Sequence, residues 1–132
     1  TIYGFVQGLG GDVIDISSIF SSAAKLFPLV PLNKAPAADF SDGVLRITGD
    51  ALDTALLVSE AFQNKGGLEP LSISNDNSAL IISAASQATG EDQYIFHAEG
   101  QDGEIHVTHL AVLNGNALDI DQWHGDNFSF IS

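Results

Sequence analysis

The chain has 132 residues, 17 acidic side chains against four basic ones, and a formal net charge of −13. That length fits one domain of ordinary size, and a hydrophobic content of 45% with eight phenylalanines excludes a disordered acidic tail. Four cations leave no phosphate-neutralising footprint, so nucleic acid is excluded as a partner. Apolar runs fall far below the ~20 residues of a membrane helix, so no membrane insertion is expected.

Cysteine is absent, which removes a disulfide framework, a thiolate nucleophile and a thiolate metal site together. Methionine is absent too, so Thr1 is not expected to be a translation start, and the chain reads as a processed product or a piece cut from something longer. Residues 1–132 are expected to form a single β-rich domain.

In chain order, Ile2–Val6 reads as a short strand, Gly8-Leu9-Gly10-Gly11 as a turn, and Val13–Ile16 as a β-branched second strand. Ser17–Phe27 has helical spacing, and the prolines at 28, 31 and 36 make Pro28–Ala38 an irregular connection. Val44–Thr48 is a strand. The spacing then predicts a helix over Ala51–Lys65, with Asp50 as N-cap, Leu52, Ala55, Leu56, Ser59 and Phe62 as its apolar face, and Gly66-Gly67 closing it.

From Leu68 the period switches to two. Leu71–Ser74 and Ala79–Ser83 are strands around the turn cluster Asn75–Ser78. Gln93–Ala98 and Glu104–Leu113 flank Gly100-Gln101-Asp102-Gly103, a hairpin signal. With Asp102-Gly103 as a two-residue turn, His97 pairs with Thr108, Glu99 with His106 and Phe96 with His109. Leu118–Trp123 and Phe128–Ile131 are short apolar segments. Trp123, Phe128 and Phe130 either close the sheet or form an exposed patch. The fold class is mainly β with one α-helix, a compact β-sandwich or β-roll-like single domain.

The sharpest chemical signal is Gln7-Gly8-Leu9-Gly10-Gly11-Asp12-Val13-Ile14-Asp15. The calcium β-roll repeat reads G-G-x-G-x-D-x-U-x, and Gly8, Gly10, Asp12 and Ile14 fall on its positions, with Gln7 in place of the first glycine. Glycines let the backbone aim carbonyl oxygens inward, and an aspartate adds the hard anionic oxygen calcium prefers. The candidate calcium ligands are Gly8, Gly10, Asp12 and Asp15. Asp15, three residues beyond Asp12, is expected on the other side of the strand. One copy supplies half of a site that stacked turns build together.

Ile2-Tyr3-Gly4-Phe5-Val6-Gln7-Gly8 followed by Asp12-Val13-Ile14-Asp15-Ile16-Ser17 resembles the I-x-x-F-x-x-G-x-D-V-I-D-L-S segment. That segment follows the calcium repeats of RTX-type exported bacterial proteins. Tyr94-Ile95-Phe96 to His106-Val107, Leu110–Gly115 and Asp126–Ile131 resemble later pieces of the same C-terminal region. The resemblance implies a secreted module, extracellular or at the cell surface, that carries the export signal of a type I secretion system. Its implied partner is the type I transporter during export, and its implied cofactor is calcium. The expected function is non-catalytic: calcium-associated capping of the repeats, with self-association or cell-surface contact as a further role.

Two alternatives remain open. One is a self-assembling surface-layer or filament subunit that pairs exposed edge strands. The other is a small metal-dependent hydrolase using His97, Glu99 and His106, which the hairpin register places on one face. Against catalysis, the sequence holds no G-x-S-x-G elbow and no P-loop. Asp119 with Asp121, and the acids at the hairpin ends, read as solvated turn residues.

Overall fold

The computed structural model describes residues 5, 7, 11–17, 19–20, 25–50, 52–63, 65–86, 90–114 and 119–129. Their order is β1 (Ile14–Asp15), β2 (Lys25–Leu26), β3 (Val30–Pro31), β4 (Ala38–Asp39), β5 (Gly43–Thr48), α1 (Ala55–Ala61), β6 (Leu71–Ser72), β7 (Ser78–Ser83), β8 (Gln93–Gln101), β9 (Glu104–Leu113) and β10 (Phe128–Ser129). The fold is mostly β with one helix. It is built on an open six-stranded sheet, not a closed barrel, and is compatible with a sandwich-like arrangement.

The sheet is mixed. β5 pairs in parallel with β2 and β3 along one side and with β7 along the other, and β7, β8 and β9 follow antiparallel. Parallel neighbours need a crossover, and the chain between β5 and β7 supplies it through α1. Two short parallel pairs, β1–β10 and β4–β6, lie off the main sheet.

Strand alternation divides the core. Leu45, Ile47, Ala79, Ile81, Phe96 and Ala98 pack on one face with Val58, Ala61, Leu68 and Phe40. Val44, Leu80, Ile82, Ile95 and Leu113 pack on the other with Ile16, Phe20, Ile120, Trp123 and Phe128. We call these the helix face and the clasp face.

The helix is shorter than its periodicity predicts. Leu52 is drawn into the core, and its N–H donates to Asp50 O (3.0 Å) and Ser83 Oγ (3.3 Å), which holds the chain out of helix. The cap is therefore Thr54, not Asp50: its hydroxyl accepts from Leu57 N at 3.2 Å. At the far end the chain doubles back, with Leu68 N donating to Ala61 O at 2.8 Å. A Cβ at Gly66 would lie 2.3 Å from Ala61 O, so only glycine fits there. The buried seam also differs: Val58 and Ala61 are buried, while Leu56 is 67% exposed.

Ser17–Phe27 is not one helix. Ile19 N and Phe20 N both reach Ile16 O, which makes a single turn, and residues 25–27 give their backbone to β5 and the residue before it, through Lys25 N to Asp42 O and Phe27 N to Val44 O. Part of the Pro28–Ala38 connection is likewise recruited as β3. The Leu118–Trp123 segment holds a short 3-10 helix, Ile120–Gln122, in which Asp119 Oδ1 accepts from Asp121 N at 3.0 Å. Asp119 caps it, so the two acids are not strand neighbours.

Candidate functional site

The candidate calcium turn leads into β1, and β1 is where the two ends of the described chain meet. Gly8 and Gly10 lie outside the described residues. Asp12 has an exposed side chain, and its backbone carbonyl accepts from Asn127 Nδ2 at 2.8 Å. Asn127 is fully buried and aimed by its own turn: its Oδ1 accepts from His124 N at 3.0 Å, and its N–H donates to His124 O at 2.9 Å. His124 has a use that the sequence did not reveal. Its Nδ1 accepts from Asp126 N at 3.1 Å and caps the 3-10 helix Gly125–Asn127.

Asp15 sits one register step further, with Ile14 opposite Phe128 and Asp15 opposite Ser129. Its Oδ1 accepts from Ser17 N at 2.9 Å and from Ser129 Oγ at 2.8 Å. The Ser17 hydroxyl and N–H, with the Ser129 hydroxyl, hold its carboxyl below the usual carboxylate range. Gln7, the departure from the repeat pattern, is a tether: its Oε1 accepts from Asp119 N at 3.0 Å. Its Nε2 is buried, with no hydrogen-bond partner among the described residues.

Aromatic packing backs these ties. Trp123 is buried, its ring 5.1 Å from Phe5 and 5.1 Å from Phe128, and its Nε1–H donates to the buried Gln93 Oε1 at 2.6 Å. Trp123 and Phe128 thus close the clasp face; Phe130 lies outside the described residues. Arg46 rises from β5 on the same side. Its Nη1 donates to Ile120 O at 3.3 Å and its Nη2 to Phe27 O at 3.1 Å, while its Nε is buried without a partner among the described residues. Burial pulls the guanidinium pKa down, and Asp121 pulls against it.

Asp12 and Asp15 are donors of the right chemistry for calcium. Two carboxylates fall short of the about six to eight oxygens calcium takes, so Asp12 and Asp15 do not by themselves make a calcium site. No group of three or more His, Asp or Glu side chains is placed to hold a metal among the described residues.

The hairpin register matches the expectation pair by pair, with His97↔Thr108, Glu99↔His106 and Phe96↔His109. The three groups of the hydrolase alternative nevertheless have separate neighbours. His97 Nε2 meets Ser78 Oγ at 2.9 Å, Glu99 Oε1 accepts from Gln101 Nε2 at 3.2 Å, and His106 Nε2 lies 3.9 Å from Glu104 Oε2. His109 tilts against Phe96 on the helix face, with ring centroids 5.1 Å apart. The Ser78–His97 contact was invisible in the sequence because it needs the β7–β8 register, in which Ser78 is the diagonal neighbour of His97.

Comparison with models of protein families, with curated proteins and with solved structures finds no match.

Proposed function

We propose that this chain is a non-catalytic, extracellular module that terminates a longer RTX-like protein, carries its type I export information and caps its calcium repeats. The observation that supports this most directly is the clasp. The glycine–aspartate segment that would receive the last repeat is tied to the chain's own C-terminal segment by β1–β10 pairing and by Asn127 on the Asp12 carbonyl. These are two of the segments that resemble the RTX C-terminal region, and they meet across the fold. A cap needs this property, because a roll that ends against a hydrogen-bonded strand pair does not fray.

The test is a fusion of tandem glycine–aspartate nonapeptides to the front of this chain, with calcium-induced folding followed by circular dichroism. The cap shifts the calcium midpoint to lower concentration relative to the repeats alone, and Asn127→Ala reduces that shift. An unchanged midpoint refutes capping. In the isolated chain, seventeen carboxylates against four cations make any bound cation stabilising by mass action. Millimolar calcium therefore raises the melting temperature more than sodium at equal ionic strength. Equal shifts leave only screening.

A further inference from the structure

The far edge of the sheet carries a second feature, separate from the clasp. The Asp102-Gly103 turn makes Gln101↔Glu104 a hydrogen-bonded pair, and bonding alternates along an antiparallel ladder. Ile105, Val107 and His109 therefore turn their backbone N–H and C=O groups away from β8. No described strand pairs with this edge of β9. The ladder shifts between Ile95 and Phe96, leaving Leu110 without a partner opposite it, so the regular edge is Glu104–His109.

Beside that edge, on the helix face, lies a groove of about 1230 Å³. β9 contributes Ile105 and Val107, α1 contributes Leu56, the residue after α1 contributes Phe62, and residues 71–75 line it as well. The lining carries two carboxylates, Asp39 and Glu104, and among its described residues no lysine or arginine. Leu56 and the edge of β9 thus offer, in one place, apolar surface and backbone that no described strand pairs. This is the combination that strand addition uses: main-chain bonds for affinity, alternate side-chain pockets for specificity.

We propose that this groove binds an extended peptide segment as an added strand on β9, with apolar side chains against Leu56 and Phe62 and a lysine or arginine facing Asp39 or Glu104. Charge decides the occupant. A second copy brings its own net charge of −13 and the same two rim acids, so like charges meet. A basic, apolar segment is attracted to the same rim.

The probe is a labelled hexapeptide alternating lysine and valine, titrated by fluorescence anisotropy against an analogue with glutamate for lysine. The basic peptide binds and slows amide exchange at Val107 and His109, while the acidic analogue binds at least about threefold more weakly. Val107→Pro removes an outward N–H that the β8 ladder does not use, and it weakens the basic peptide about tenfold. Glu104→Lys, at the exposed hairpin end, leaves the fold intact and narrows or reverses the preference between the two peptides. Equal binding of both peptides, binding of neither, or loss of the edge to concentration-dependent self-association overturns the proposal.

Discussion

In the β8–β9 hairpin every pair from Gln101↔Glu104 up to the bulge follows from one two-residue turn, whereas the clasp joins groups such as Asp15 and Ser129 that stand 114 positions apart. The hairpin closes a minimal loop, and backbone conformation alone sets its register: Asp102 and Gly103 both have positive φ, 53° and 80°. The clasp closes a far longer loop at higher entropic cost. Its strands are two residues each, so side chains hold it: Trp123, Asn127, Ser129 and Arg46. One region is secured by backbone geometry and the other by side-chain chemistry, and variants should separate them.

The largest effect is expected at Trp123. Trp123→Ala removes a buried ring packed between Phe5 and Phe128 and leaves the buried Gln93 Oε1 without its donor. Losing such a ring costs about 3–5 kcal/mol, read as a lower urea midpoint. Amide exchange should rise first around β1 and β10 while the β8–β9 amides stay protected. Uniform loss of protection would mean that clasp and hairpin are one cooperative unit.

The matching change in the hairpin is Gly103→Ala. A Cβ there meets nothing within 4 Å, so the cost is conformational alone, about 1 kcal/mol for a side chain at positive φ. The clasp should be untouched, with Trp123 fluorescence unchanged. A change in that fluorescence would show that the turn and the clasp are coupled.

The smallest effect is at Asp15, and pH sharpens it. Its folded-state pKa is lowered from 3.8 by the Ser17 and Ser129 bonds. Its contribution to stability is therefore fully present above 3.8 and is lost as pH falls through the depressed folded value. Asp15→Asn should lower the melting temperature slightly at neutral pH, and the gap to the native chain should close below pH 3.8. Asp39, lowered in the same way by Ser41 and Ser74, titrates in both proteins and cancels in the difference. A gap that persists in acid would assign the effect to packing.

The hairpin was legible in the sequence to the register, because Asp-Gly between alternating segments specifies a turn and the turn specifies the pairs. Strands β5 and β7 were legible from period-two and β-branched runs. The existence of the helix was legible, but its ends and buried seam were not. Ser83 and the core claim Leu52, and the returning chain at Gly66–Leu68 ends the helix early. Each of those partners is distant or depends on a chain reversal, and 3.6-residue spacing carries no information about either.

The candidate site divides along the same line. The glycine–aspartate pattern could be read from residues 7–15 alone, since spacing of glycines and one carboxylate is a local property. That Asp12 is held through its carbonyl by Asn127, that Asp15 is held by Ser129, and that Gln7 meets Asp119 was decided by the tertiary structure. The open edge of β9 and its groove with α1 were decided there too. Turn chemistry and side-chain period are written in neighbouring residues. Which strand ends a sheet, and which buried donor finds which acceptor, depends on how the whole chain shares out its apolar surface and its backbone hydrogen bonds.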